Sequence, residues 1–389
     1  MSIGSAYLRG ARIVVIGAGA IGSVLTYRLA QAGAQVTLVE RAFPGSGTTG
    51  NSFAWVNSFG KTPREYHRLN ASGLRAHQEL ARELDGEWLH AHGGLQWAYA
   101  ADQDHVQHLR DTVKRLREWG YRVETLTPEQ ATRDLEPDLF IDPDTVEEVF
   151  YTPNEAWING VGLCHGATSA AVRRYGATLV HDEVTGFGLA GGAIEHVRLA
   201  GGGSLPADAV INAAGPNAAR VAALAGVELP VTRQPGCLIV TEPAPVALRA
   251  VIHAPEGIVR GDGGWRLLLH GEDFDHWVES ETPITIDHPF CQQAVERARA
   301  VLPGLAGIRA EGVRFGVRPM PRDGRSIVGF DPGVTGLYHV ATHSGVTLCA
   351  TLGQLVTEDL NGEQPPELEP FRPTRFTDRA ALVYTGTQE

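Results

Sequence analysis

The sequence predicts an α/β fold of Rossmann type, interleaved with an α+β domain that contains an antiparallel sheet. Three observations carry this. A strand, a glycine turn, a helix and a second strand occupy the first 40 residues. That pattern stops at a loop rich in Gly, Ser and Thr and gives way to amphipathic helices. Residues 231–286 then alternate strand-like runs with turns. A parallel unit that is broken off and resumed near the end of the chain belongs to two interleaved domains rather than to modules in series.

Arg12 to Ile16 (RIVVI) is a short apolar run rich in β-branched residues, as a strand buried on both faces requires. Ile21, Val24, Leu25 and Leu29 recur at helical spacing through Ala20 to Ala32, and Gly33 stops that helix. Gln35 to Glu40 (QVTLVE) is the second strand. Glu65 to Trp88 and Ala101 to Trp119 are amphipathic helices. Two strand-like runs within Thr178 to Leu199 flank Gly191-Gly192, a hairpin signal. Ala207 to Ala214 is a further buried strand, broken by Gly215 and Pro216, with a helix over Asn217 to Ala225. Pro289 to Val301 is helical, Gly312 to Gly329 is rich in Gly, Pro and Arg, and Leu337 to Leu360 gives strand, turn and long helix. No internal repeat is present.

The chain has 389 residues, 43% of them hydrophobic and 20% charged, the composition of an ordinary globular protein. Its formal charge of -12 argues against nucleic acid and anionic membrane surfaces, both of which need a basic face. A small-molecule partner fits better. Cys164, Cys237, Cys291 and Cys349 lie far apart, so no metal site or disulfide framework is expected and a reducing compartment is the default. The N-terminal apolar run enters the glycine turn directly, without a cleavage signal, and no stretch is long enough to span a bilayer. A cytoplasmic location is the expectation.

Gly17-Ala-Gly19-Ala-Ile-Gly22 lies between the first strand and its helix. In the dinucleotide fingerprint the three glycines serve a tight turn, close approach to a pyrophosphate, and helix–strand packing. The helix start offers free N–H groups to the anion. Glu40, at the end of the next strand, suits a ribose hydroxyl and would repel a 2′-phosphate. A nicotinamide-binding domain would continue with further βαβ units. The Gly/Ser/Thr loop and helical insertion that follow are instead the layout of FAD-binding proteins.

Five blocks occur in order: VVIGAGAIG…VTLVER, GTTGNSFAWVN, INAAGPNA, GVRPMPRDGRSIVG and ATHSGVTLCATLGQLV. On these the chain resembles, nearly end to end, the D-amino-acid oxidase, glycine oxidase and sarcosine oxidase (DAO) family of flavoenzymes. The resemblance implies FAD contacts from Gly17, Gly19, Ala20, Ile21, Gly22, Glu40 and Arg41. It implies a path along the diphosphate and ribityl for Thr48, Thr49, Asn51, Ser52, Ala54 and Trp55, with Trp55 either at the flavin edge or an ordinary core aromatic. Val184 matches a backbone contact to adenine, with His181 and Glu183 beside it as surface groups. Ala213, Ala214, Gly215 and Asn217 match a turn that approaches the nucleotide. Ser344, Gly345, Val346 and Thr347 start a helix that points at the pyrimidine end of the flavin, where negative charge develops on reduction.

Three residues are implied in catalysis. Arg318 matches an arginine that forks onto a substrate carboxylate, the alternative being a structural ion pair with Asp323. His343 matches a substrate- or flavin-contacting position, or else satisfies a loop carbonyl. His270 lies near where several amine oxidases carry a lysine that assists oxygen, and a plain turn residue is its alternative. Relatives with covalent flavin carry a cysteine where this chain has Gly316, which implies non-covalent FAD. The segment Tyr151 to Gly160 departs from the family's usual run and is a candidate lining of the substrate cavity.

The expected division is an FAD-binding domain from residues 1–58, 155–228 and 311–389, and a substrate-binding domain from 59–154 and 229–310. The expected function is FAD-dependent oxidation of the C–N bond of a small amine or amino acid, with oxygen as acceptor and hydrogen peroxide released. The alternative is an FAD-dependent dehydrogenase of a 2-hydroxy acid or amino acid with another acceptor. Stereochemistry, primary or secondary amine, and oligomeric state stay open.

Overall fold

The computed structural model describes residues 8–278 and 284–376. The ends of the expected FAD-binding ranges (1–7 and 377–389), and residues 279–283 of the expected antiparallel run, lie outside the described residues.

A six-stranded sheet runs in the order Ile327–Phe330, Leu337–Ala341, Ala209–Asn212, Arg12–Ile16, Gln35–Glu40, Thr178–His181. All pairings are parallel except that of Ile327–Phe330 with Leu337–Ala341. The central strand is buried on both faces, as its unbroken apolar run requires. Ile13 and Val15 pack with the helices Ala20–Gln31, Gly160–Tyr175 and Gly345–Leu360. Val14 and Ile16 pack with Val184, Phe187 and Val197 of a three-stranded antiparallel meander. That meander contains the expected hairpin, turning on Gly191 and Gly192 at φ of 58° and 82°.

The second sheet has eight strands in the order Ala310–Pro321, Val231–Thr241, Leu267–His270, Gly257–Gly261, Val251–Ala254, Gly94–Gln96, Val149–Thr152, Glu124–Leu126. Its pairings are antiparallel except that of Val251–Ala254 with Gly94–Gln96. Helix Pro289–Arg299 buries Phe290 and Val295 in a core with Phe274, Ile239 and Leu269. A small sheet of Trp55–Val56, Ala156–Ile158 and Leu89–His90 joins the two halves.

The expected helices occur as Arg64–Leu84, Gln103–Glu118, Pro289–Arg299 and Ala218–Ala223. Helix Gly160–Tyr175 has no counterpart among the sequence expectations, because its glycines at 160, 162 and 166 lower helix propensity. Those glycines allow close packing. A Cβ on Gly160 would lie 2.7 Å from the Thr49 carbonyl oxygen, and one on Gly166 2.6 Å from the Trp88 ring.

Candidate functional site

Between the two large sheets lies a cavity of about 490 Å³, walled by the fingerprint turn, the 48–61 loop, the paired strands Val231–Thr241 and Ala310–Pro321, and the start of helix Gly345–Leu360. Two helix N-termini therefore face one space. In the first, Ser23 N–H makes the earliest helical bond, to Gly19 O at 2.9 Å, and Gly19, Ala20 and Ile21 line the cavity. In the second, Leu348 N–H bonds Ser344 O at 2.9 Å, so the N–H groups of Gly345, Val346 and Thr347 precede the first helical bond. Such open N–H groups carry the positive end of the helix dipole.

Glycine shapes the first of these ends. Gly17 sits at φ 96°, with space for a Cβ only 2.8 Å from the Ala213 carbonyl oxygen. A Cβ on Gly22 would lie 1.8 Å from Gly17 O. Gly17 and Gly22 thus stand behind the wall. Glu40 braces the same turn from below, its carboxylate accepting Ala18 N–H and Ala42 N–H at 2.9 Å each.

The 48–55 loop is tied down at both ends. Thr49 Oγ1 accepts Ala20 N–H at 3.0 Å, and the Thr48 hydroxyl donates to Val317 O at 2.5 Å. Asn51 donates to Gly47 O, and the Ser52 hydroxyl accepts Ala54 N–H at 3.0 Å. This holds Ala54 at φ 57°, a left-handed conformation that costs a non-glycine residue about 1 kcal/mol or more. All six expected loop residues, Trp55 included, line the cavity. Ala213 and Gly215 line it as well. Ala214 lies just behind, and Asn217 accepts a hydrogen bond from Arg233 at 2.8 Å. Arg41 is exposed, and Val184, at the start of the meander's first strand, is buried against Val14 and Val39; neither lines this cavity.

Arg318, His343 and His270 all line the cavity. Arg318 does not pair with Asp323, which instead holds Arg375 and Arg325. Its partner is Asp275, with a further donation to Pro235 O at 3.2 Å. Arg318 Nε is buried and has no hydrogen-bond partner among the described residues. Burial pulls the His343 pKa down to about 3, helped by Lys61, Arg318 and His270, so the ring is neutral. Burial likewise lowers that of His270, against the opposing pull of Asp275. The Thr347 hydroxyl donates to Trp55 O at 3.1 Å. Ser344 shares a 2.7 Å hydrogen bond with Tyr66.

Three residues of the site escape the sequence reading. Asp275 is one. Lys61, on the cavity wall, is another; one compositional signal points to it, since the chain's lysines are only Lys61 and Lys114. The third is Glu155. The segment Tyr151 to Gly160, expected to line the cavity, lies behind it. Glu155 there is fully buried and accepts Trp55 Nε1–H at 2.9 Å and Tyr121 O–H at 2.6 Å, fixing the indole that faces the cavity.

Burial raises the Glu155 pKa to about 7, against the hydrogen bonds from Tyr121, Thr152 and Trp55. An acid whose folded pKa exceeds its unfolded value of 4.5 adds stability that is complete below 4.5 and is lost as pH rises through about 7. The difference is roughly 3 kcal/mol. Glu155→Gln is therefore expected to gain unfolding free energy relative to the wild type as pH goes from 5 to 8, read by denaturant melts. A constant gap across that range would refute it.

The residues present fit a flavin dinucleotide: open N–H groups at two helix starts, a glycine turn, and a hydroxyl-lined loop between them. No cysteine replaces Gly316, whose missing Cβ would sit 3.2 Å from Asn51 O. Cys237, also on the wall, is held protonated, its pKa pushed up to about 12 by burial. Among the described residues no cluster of potential metal ligands occurs, and no helix is long and apolar enough to cross a membrane.

Comparison with known proteins agrees with this geometry. The chain is 25% identical to glycine oxidase of Geobacillus kaustophilus (strain HTA426), over 95% of this chain and 98% of that protein. It is 27% identical to glycine oxidase of Pseudomonas aeruginosa, over 91% of this chain and 96% of that protein. The crystal structure of glycine oxidase from Geobacillus kaustophilus superposes with a TM-score of 0.80 at 24% identity, covering 94% of this chain and 99% of that one. L-proline dehydrogenase from P. horikoshii superposes with a TM-score of 0.82 at 20% identity, covering 96% and 100%. The family model described as FAD dependent oxidoreductase (DAO) matches residues 12–359, and the chain belongs to that family of FAD-dependent enzymes.

Proposed function

We propose that the enzyme oxidises the C–N bond of a small amino acid, and that the observation carrying this reading is the guanidinium of Arg318 on the wall of the cavity that the two helix starts face. FAD held at those helix starts supplies the acceptor for hydride leaving the carbon that bears the amine. In this reading the nucleotide end lies along Gly17, Gly19, Ala20, Ile21, Gly22 and Glu40, with Arg41, Val184, Ala213, Ala214, Gly215 and Asn217 around the adenosine. Thr48, Thr49, Asn51, Ser52, Ala54 and Trp55 follow the chain toward the ring. Ser344, Gly345, Val346 and Thr347 present N–H groups where negative charge grows.

Arg318 takes the substrate carboxylate in its planar fork, positioning the α-carbon. His343, its pKa pulled down to about 3 by burial, adds no positive charge to this wall. Trp55, fixed by Glu155, and Phe59 exclude water. The imine product hydrolyses after release. With oxygen as acceptor, the two electrons and two protons removed from the amine would leave as hydrogen peroxide. A second reading, a dehydrogenase with another acceptor, is favoured by His270 standing where oxygen-using relatives are expected to place a lysine.

Anaerobic titration of the purified yellow protein with D- and L-amino acids, N-methyl amino acids, amines and 2-hydroxy acids separates these. Bleaching of the visible flavin band by amino acids, and not by 2-hydroxy acids, is the expected result. Recovery of colour on admitting air, with one peroxide per turnover, marks an oxidase; slow recovery that a dye accelerates marks the dehydrogenase. Bleaching by 2-hydroxy acids alone would overturn the C–N assignment.

A further inference from the structure

We infer that Lys61 determines specificity by receiving a second anionic group of the substrate, so that the preferred substrate is an amino acid bearing an acidic group besides the carboxylate at Arg318. This rests on the reading of the cavity given above. Lys61 follows strand Trp55–Val56, precedes helix Arg64–Leu84, and lines the cavity with Asn57 and Phe59.

The other cations around this space are already matched. Arg318 pairs with Asp275, and Arg260 and Arg314 share Asp262. Among the described residues, Lys61 has no carboxylate within ion-pair distance. Glu155, behind Trp55, acts on it only from farther away, and burial lowers its pKa. A partly buried ammonium without a counter-ion is costly, and an anionic ligand relieves that cost.

Arg318 has the carboxylate of Asp275 as a partner, whereas Lys61 lines the same cavity with no carboxylate in contact among the described residues. Lys61, Arg318 and His343 all line this one cavity. A monocarboxylate seated on Arg318 leaves Lys61 unmatched; a second acidic group matches it. The choice of residue agrees. This chain uses lysine only twice among 33 basic residues, and a compact ammonium on a flexible stem suits a point contact better than the guanidinium fork used elsewhere.

The test compares ligands that differ in one acidic group: N-methylglycine with N-(carboxymethyl)glycine, and norvaline with glutamate. Kd and reduction rate are read anaerobically by stopped flow for wild type, Lys61→Met and Lys61→Arg, with flavin content as control. Spectral perturbation by unreactive acetate and glutarate gives a binding readout free of turnover. The expected result is tighter binding of an acidic member, by about tenfold or more, and tighter binding of glutarate than acetate. Lys61→Met abolishes both preferences, leaves the neutral members within about threefold, and keeps its flavin; Lys61→Arg restores part of the preference. The inference is overturned if the wild type shows no preference for an acidic member, if the preference survives Lys61→Met, or if that variant slows every substrate alike, which would place Lys61 at the amine instead. Failure of every amine to bleach the flavin would instead remove the C–N reading itself.

Discussion

Gly22→Ala is expected to give a protein that purifies without flavin and melts well below the wild type. The added methyl would stand 1.8 Å from Gly17 O, a backbone atom that cannot rotate away. Gly17 is itself pinned, because its own Cα faces Ala213 O and its N–H donates to Val39 O at 2.9 Å. Relief therefore requires the helix Ala20–Gln31 to move off the sheet. That helix packs between Gly160–Tyr175 and Gly345–Leu360, so its displacement also opens the second helix start. Overpacking of this kind costs about 3 kcal/mol or more. Gly312→Ala is the matched control, since its nearest neighbour would be Val240 Cβ at an ordinary 3.9 Å. The ratio of visible to ultraviolet absorbance, with the melting temperature of the flavin-free protein, reads both effects. A Gly22→Ala protein that keeps a full complement of flavin would show that the turn can relax and that the packing argument is wrong.

What the sequence made legible was local or carried by a family block. The first βαβ unit declares itself because each strand is buried on both faces and each turn is made by glycine. Long-range pairings were not legible. Trp55 meets Glu155 across a hundred residues, through strands two and three residues long that are too short to show a period. For Arg318, the alternative was an ion pair with its sequence neighbour Asp323, yet Asp323 lies past the end of strand Ala310–Pro321 and holds Arg375, while Asp275, 43 positions away, makes the pair. Lys61 sits in a loop without periodicity, where only the rarity of lysine marked it. The segment Tyr151 to Gly160 was singled out for the right location and the wrong role, since it supports the wall rather than forming it.

Arg318→Ala is expected to weaken binding of a carboxylate-bearing substrate by about 100-fold, roughly 3 kcal/mol, while flavin content stays at the wild-type level. Two effects add. The charge-assisted bonds from the guanidinium are lost, and the Asp275 carboxylate, a quarter exposed and with Oδ1 buried without a partner among the described residues, is left facing the ligand's own negative charge. The second effect is separable. Asp275→Asn in the Arg318→Ala background removes the repulsion and is expected to recover part of the affinity, whereas Asp275→Asn alone frees the fork and leaves binding intact or improved. An amine lacking a carboxylate should bind alike to wild type and Arg318→Ala, which distinguishes an anchor from general damage. If affinity for the amino acid survives the loss of Arg318, its ion pair with Asp275 is structural, and Lys61, the cavity cation left unmatched among the described residues, becomes the carboxylate's partner.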